Sequence, residues 1–142
     1  MRLALERARE AAATGEVPVG AVVTRGSEVL AAAANMMRGG HDPTAHAEMV
    51  ALREAARAIG SSRLDGCDLW VTLEPCAMCA GAIALARIDR LYFAAADPKG
   101  GAVLNGPRLF GQPTCHHAPE VYAGIGEDAA AFMLRAFFQE RR

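Results

Sequence analysis

Residues 67–79 read CDLWVTLEPCAMC, an apolar run that leads directly into a Glu-Pro pair and a Cys-x-x-Cys pair. An apolar run of this length with such a boundary is typical of a buried strand, which we place at 67–73. Because proline is favoured near the first position of a helix, we expect a helix from 74 to about 86. A strand that leads into a helix is the repeating unit of α/β proteins.

The same alternation of strands and helices extends to both sides of this unit. Asp42 and Pro43 are suited to cap and to begin a helix, and the Gly- and Pro-rich segment 97–118 predicts a long loop with at most a short helix. We therefore predict an α/β protein with a three-layer α/β/α architecture, a central mixed sheet of about five strands and one domain over 1–142. The predicted helices are 2–14, 43–59, 74–86 and 128–140, and the predicted strands are 19–24, 28–33, 67–73, 89–95 and 121–124.

The composition excludes several classes of protein. The chain has 142 residues, of which 52% are hydrophobic, enough to form a core. Lys and Arg total 15 against 16 Asp and Glu, so a strongly basic nucleic-acid coat is excluded, although a local basic groove is not. No apolar run approaches the roughly 20 residues of a membrane span, and the first residues are too charged for a secretory signal. We expect a cytoplasmic protein with no membrane association, and its four cysteines favour metal binding or catalysis over disulfide bonds.

One histidine and two cysteines form a candidate metal site. Cys76 and Cys79 are three residues apart in the first turn of a predicted helix, where free N–H groups and the helix dipole stabilise thiolates. His46 is predicted to lie in the first turn of the preceding helix. Because both helices follow strands, their N-termini should meet at the same edge of the sheet. One imidazole and two thiolates are a ligand set that zinc accepts.

Glu48 is the candidate catalytic residue beside this site. Three protein ligands leave one zinc position open for water. Zinc with two thiolates is formally neutral and acidifies water less than a zinc with three imidazoles, so a nearby carboxylate becomes useful as a proton acceptor. We assign Glu48 as the proton shuttle between water and a leaving group.

Other interpretations of the cysteines stay open from the residues alone. The Cys-x-x-Cys pair could be a redox pair, or the zinc could be structural, with a fourth ligand from Cys67, Cys115, His116 or His117. A structural zinc would make the protein a noncatalytic binding module. The simplest interpretation of residues 115–117 is a loop that packs under the sheet, and that of Cys67 is a small core residue.

Together, the motifs resemble those of a known family. HAE at 46–48 and PCAMC at 75–79 fit the H-x-E and P-C-x-x-C pattern of zinc nucleobase deaminases. The likeness to the bacterial tRNA-specific adenosine deaminase (TadA) family covers nearly the whole chain. The matching segments are EVPVGA at 16–21, HDPTAHAE at 41–48, TLEPC at 72–76, AGAI at 80–83, Asp97-x-Lys99, and Phe137-Phe138.

This resemblance implies a fold, an activity and a set of site residues. It implies a cytidine-deaminase-like fold, a homodimer, one Zn²⁺ per chain, and conversion of adenosine to inosine at the wobble position of a tRNA anticodon loop. On this resemblance His46, Cys76 and Cys79 bind zinc, and Glu48 shuttles protons. The implied substrate contacts are Asn35 to the nucleotide, Val17 to the base, the backbone around Ala47 and Glu74 to the base edge, Asp97 and Lys99 to neighbouring nucleotides, and Phe137, Phe138 and Arg141 to the loop.

Three departures from the family pattern keep an alternative open. Ala96 stands where the family often has Arg, Gln139-Glu140 replaces a more basic stretch, and segment 106–117 has its own sequence. These differences weaken the expected phosphate contacts and leave a deaminase of a free base or nucleoside, of the guanine or cytosine type, as the alternative. The EVPVGAV and TLEPC segments favour the tRNA enzyme, for which the candidate phosphate-binding residues are Arg38, Lys99, Arg108, Arg141 and Arg142.

Overall fold

The computed structural model describes residues 1–141, whose elements follow the predicted order. Arg142, one of the predicted phosphate-binding residues, lies outside them. Within 1–141, no helix is both long enough and apolar enough to cross a bilayer. The helices are α1 (Arg2–Ala13), α2 (Ala47–Ile59), α3 (Ala77–Ala86) and α4 (Glu127–Gln139), the strands are β1 (Gly20–Arg25), β2 (Glu28–Ala34), β3 (Asp68–Leu73), β4 (Arg90–Ala95) and β5 (Glu120–Ala123), and a 3₁₀ turn spans Leu109–Gly111.

The five strands form one mixed sheet in the order β2-β1-β3-β4-β5. Strand β1 is antiparallel to both β2 and β3, whereas β3, β4 and β5 are parallel to one another. Strands β2 and β3 therefore run in the same direction, and their C-terminal ends lie at one edge of the sheet. Helices α2 and α3 begin near that edge, as the sequence predicted, and this topology brings the functional residues together.

Two helical layers cover the sheet, which confirms the α/β/α prediction. Leu69 and Val71 of β3 are fully buried in a core that includes residues of α2 and α3. On the opposite face, Ala130 of α4 packs with Ala94, and α1 packs on β1 and β2. The approach of α1 is so close that a Cβ atom at Gly20 would collide with the α1 backbone. Only glycine fits at this position without a shift of the helix.

Helix α2 begins at Ala47, so the prediction of a helix from 43 was wrong. The Asp42 carboxylate accepts hydrogen bonds from the Thr44 N–H at 2.8 Å and the Thr44 hydroxyl at 2.7 Å, which closes an Asx turn. The turn gives the Thr44 N–H a hydrogen-bond partner without any helix, so the chain has no need to begin a helix at 43. His46 is extended, with φ −65° and ψ 151°, and is the N-cap residue rather than a member of the first turn.

Helix α3 begins at Ala77, three residues later than predicted. The Glu74 N–H donates to the Ala95 carbonyl at the end of β4, and the Pro75 carbonyl accepts from Ala102, so this segment is still held by the sheet and the following loop. Cys76 is extended, with φ −73° and ψ 177°, and is the N-cap of α3. The predicted short helix within 97–118 is the 3₁₀ turn, and the last strand and helix each begin one residue earlier than predicted.

Candidate metal centre and active site

His46, Cys76 and Cys79 converge at the C-terminal edge of β2 and β3. His46 Nδ1 lies 3.6 Å from Cys76 Sγ and 3.5 Å from Cys79 Sγ. Tetrahedral zinc at its usual bond lengths separates an imidazole nitrogen from a thiolate sulfur by about 3.6 Å. The donor types and their spacing therefore fit a zinc ion.

The three side chains strongly affect one another's protonation. Hydrogen bonds from the Cys79 thiol and the His46 ring lower the pKa of Cys76 to about 3. The hydrogen bond to Cys76, followed by burial, raises the pKa of the Cys79 thiol. The hydrogen bond to Cys76 also raises the pKa of His46. The lowered pKa of Cys76 thus favours a thiolate at this position, and a thiolate is the form of cysteine that binds a metal ion.

The carboxyl group of Glu48 faces the same site from the first turn of α2. Glu48 is only 4% exposed, and this burial raises the pKa of its carboxyl group. A raised pKa brings a carboxyl group closer to the range in which it can both accept and release a proton at neutral pH. Glu48 lines one cavity with His46 and Cys76, where a reacting group could meet all three.

This cavity has a volume of about 260 Å³ and combines apolar walls with a few polar groups. Val17 and Leu73 supply apolar surface, and Asn35 contributes a buried polar side chain. Apolar walls with a few placed polar groups are typical of small-molecule sites. The complete lining is Val17, Val19, Asn35, Met37, His46, Glu48, Leu73, Glu74, Cys76, Asp97 and Gly100.

A larger groove of about 790 Å³ adjoins the cavity. The two share Val17, Leu73, Asp97 and Gly100, and the groove extends from them to α4. Its additional lining residues are Lys99, Leu134, Phe138 and Arg141. An occupant of the cavity could therefore continue out along a surface that carries cations and an exposed aromatic ring.

The remaining predicted substrate residues do not line the cavity or the groove with their side chains. Ala47 is fully buried and does not line the cavity with its side chain. Phe137 is only 6% exposed, and the Arg141 guanidinium covers its ring at 3.5 Å, so Phe137 lies behind the groove. Arg38 and Arg108 are exposed but line neither the cavity nor the groove.

The other cysteines and histidines do not join the metal-ligand cluster. The Cys115 thiol donates to the His117 carbonyl, and His117 Nε2 lies 2.6 Å from the Ile88 carbonyl oxygen. Cys67 is fully buried at the start of β3, as its interpretation as a core residue predicted. Within residues 1–141, the one group of three or more potential ligands close enough to share a metal ion is His46, Cys76 and Cys79. The described residues thus offer no fourth protein ligand.

Sequence reasoning missed the lining residues Val19, Met37, Leu73 and Gly100, and the role of one side chain. Met37 lines the cavity, but a methionine in a predicted loop carries no signal of its own. The side chain of Glu74 holds the loop after β4, whereas only its backbone was predicted to matter. Burial acts to raise the pKa of Glu74, but hydrogen bonds from Asp97, Asn105 and Leu104 outweigh it and lower the pKa overall.

The fold and the site together define a class of enzyme. Residues 1–95 match the cytidine and deoxycytidylate deaminase zinc-binding region. The chain therefore belongs to the zinc-binding cytidine and deoxycytidylate deaminase family.

Within that family, the chain is similar to tRNA-specific adenosine deaminases. The chain is 56% identical over its full length to a tRNA-specific adenosine deaminase of Agrobacterium fabrum, of which it covers 93%.

Two solved structures bear on the choice of substrate. A tRNA:A34 deaminase that performs A-to-I editing at the wobble position superposes with a TM-score of 0.93 at 55% identity, over 94% of this chain and 97% of that one. A guanine deaminase from Nitrosomonas europaea superposes with a TM-score of 0.80 at 26% identity, over 94% of this chain and 80% of that one. The tRNA deaminase is more similar in both sequence and structure.

Proposed function

We propose that this protein hydrolyses adenosine to inosine at the wobble position of a tRNA anticodon loop. The observation that carries the proposal is the continuity of the cavity at His46, Glu48 and Cys76 with the groove toward α4. A base in the cavity remains attached to its neighbours, and the groove gives those neighbours a place to lie. The unpaired bases of an RNA loop can be splayed into such pockets at low cost.

We propose that His46, Cys76 and Cys79 hold one zinc ion per chain. The donor set and its spacing support this assignment, as does membership of a zinc-binding family. When bound, zinc supplies the Lewis acidity that activates water near neutral pH. The carbon atom under attack must then lie beside these three residues, with its amino group directed toward Glu48.

Glu48 is the proposed proton carrier. Hydrolytic deamination replaces the exocyclic amino group of adenine by oxygen from water and releases ammonia. One proton of the attacking water must reach the ring nitrogen, and the proton that stays on its oxygen must then reach the departing amine. One carboxylate beside both water and base can serve each transfer in turn. The burial of Glu48 keeps bulk water from competing for these protons.

Base recognition is assigned to residues of the cavity wall. Val17 offers an apolar surface to the purine ring, and the side chain of Asn35 hydrogen-bonds the nucleotide. The backbone around Ala47 and Glu74 is assigned to the base edge, as the resemblance to the family implies. These groups fix the base so that its amino-bearing carbon faces the zinc ligands.

Contacts with neighbouring nucleotides are assigned to the groove. Lys99 and Arg141 are suited to contact phosphates, and Asp97 lies at the boundary between the cavity and the groove. Phe138 is 49% exposed and can stack on a base. Phe137 supports this surface from behind, where its ring contacts the Arg141 guanidinium.

We propose that two copies associate through α3. Leu85 is 78% exposed and borders an apolar concavity of about 320 Å³ between α3 and the loop after the 3₁₀ turn. Gly81 and Ala84 also line this concavity, and their small side chains leave room for a second helix to approach closely. The same helix carries Cys79, so a dimer formed here would bring its two active sites near the interface.

One comparison of substrates tests the proposed function. The purified protein is incubated with an anticodon stem-loop that has A at the wobble position, and separately with free adenine, guanine, cytosine and their nucleosides. We expect inosine and ammonia from the stem-loop and little product from the free compounds. Product from guanine or cytosine without product from RNA would replace the proposal with the free-base alternative, for which a guanine deaminase is the structural precedent. A tRNA substrate also implies that the protein works in the cytoplasm.

A further inference from the structure

The carboxylate of Glu74 is almost fully buried and is surrounded by donors from a distant part of the chain. One oxygen, Oε2, accepts the backbone N–H groups of Val103, Leu104 and Asn105 at 3.1, 2.9 and 3.1 Å. The other oxygen, Oε1, accepts the Asp97 N–H at 3.0 Å and the Asn105 side-chain amide at 2.7 Å. Five hydrogen bonds thus join one side chain to the loop at 97–105, called here the Glu74 loop.

The Glu74 loop contains no helix or strand that could pair its N–H groups. Unpaired buried donors are costly, and three successive N–H groups directed at one point form an anion-binding concavity. Glu74 fills that concavity from within the protein. Gly101 leaves the necessary room, because a Cβ atom there would lie 2.5 Å from the Glu74 carboxylate.

The Glu74 loop forms part of both the cavity and the groove. Asp97 and Gly100 line both spaces, and Lys99 lines the groove. We propose that Glu74 is a positioning residue whose side chain preforms this wall of the groove for the nucleotides that flank the target base. The functional part of this proposal rests on the proposed RNA substrate, whereas the role of Glu74 in ordering the loop does not.

Replacing Glu74 by glutamine keeps its shape and removes one acceptor. The amide NH₂ group is a donor, and it would face either the three N–H groups of 103–105 or the Asp97 N–H and the Asn105 side-chain amide. Because donors cannot pair with donors, the Glu74 loop should lose its fixed position. RNA must then order the loop as it binds, which raises KM. We expect KM for the stem-loop to rise about 10-fold, as loss of hydrogen bonds to a charged group predicts. The kcat per bound zinc should change less than about 3-fold, because binding and not chemistry is affected.

The experiment compares three variants with the wild type. Glu74→Gln and the milder Asn105→Ala, which removes one donor, test a graded effect on KM. Ile88→Val is the control for stability, because Ile88 is fully buried before the N-terminal end of β4, away from the site. For each protein we would measure zinc content, KM, kcat, and amide hydrogen exchange at 103–105. A fall in kcat with unchanged KM, or an equal rise of KM in Ile88→Val, would overturn the positioning role.

Two further measurements separate this proposal from the proposed function. Faster exchange at 103–105 in Glu74→Gln supports the ordering role even if the wild type does not act on RNA, and unchanged exchange overturns it whatever the substrate. In Glu74→Ala, added formate at constant ionic strength should refill the concavity and lower KM toward the wild-type value. Chloride at the same ionic strength should have no such effect. Equal responses to formate and chloride would contradict the proposed anion site.

Discussion

At the scale of single residues, the proposed chemistry depends most on Glu48. Glu48→Gln keeps the size of the side chain but cannot carry a proton, so we expect kcat to fall by about 10²–10⁴-fold while zinc content and fold are retained. Inosine formation, metal analysis and circular dichroism measure these three properties. Glu54→Gln is the matched control, because Glu54 lies on the exposed face of the same helix and should tolerate the change. Near-normal turnover of Glu48→Gln would refute the shuttle assignment.

The groove residues give a second prediction at this scale. Lys99→Ala should raise KM for an anticodon stem-loop and flatten its salt dependence by a log-log slope of about 0.7, the value for one single-strand phosphate contact. The kcat should be unchanged, because Lys99 lines the groove and not the cavity. Arg63→Ala, an exposed residue paired with Asp65 outside both spaces, is the control. If Lys99→Ala and Arg63→Ala have the same salt dependence as the wild type, Lys99 does not contact phosphate.

At the scale of secondary-structure elements, the packing of α1 on β1 gives a stability prediction. Gly20→Ala places a methyl group against the α1 backbone, so the helix must move, and we expect a loss of about 1–3 kcal/mol in unfolding free energy. Gly111→Ala is the control, because a Cβ atom there meets nothing within 4 Å. Urea denaturation measures both variants, and equal stability of the two would show that α1 adapts without cost.

The elements also show what the sequence could and could not predict. The metal-ligand cluster was predictable because its ligands follow two strands whose C-terminal ends meet at one edge of the sheet. The start of α2 was misplaced because Asp42 closes an Asx turn, and this turn uses the same kind of residue as a helix cap. The role of the Glu74 side chain was not predictable, since its partners lie 23 to 31 residues later in a loop without a periodic pattern.

At the scale of the whole molecule, the proposed dimer gives a prediction about assembly. Leu85→Glu places a charge on the exposed apolar surface of α3, so we expect a monomer where the wild type is a dimer. Light scattering at micromolar concentration measures the molar mass. Val29→Glu is the control, because Val29 is also exposed but belongs to β2. A wild-type monomer, or a dimeric Leu85→Glu variant, would contradict an interface through α3.

The N-cap positions of His46 and Cys76 have a consequence for the stability of the apo form. Neither residue makes the side-chain hydrogen bond that usually satisfies the free N–H groups of a first helical turn. A metal ion bound by both residues would cross-link the N-termini of α2 and α3. Chelation should therefore increase hydrogen exchange at 47–50 and 77–80 together, while α1 and α4 keep their protection. In that case the metal would stabilise the contact between the β2-α2 and β3-α3 units as well as take part in the reaction. Loss of zinc would then unfold the first turns of α2 and α3 before the sheet unfolds.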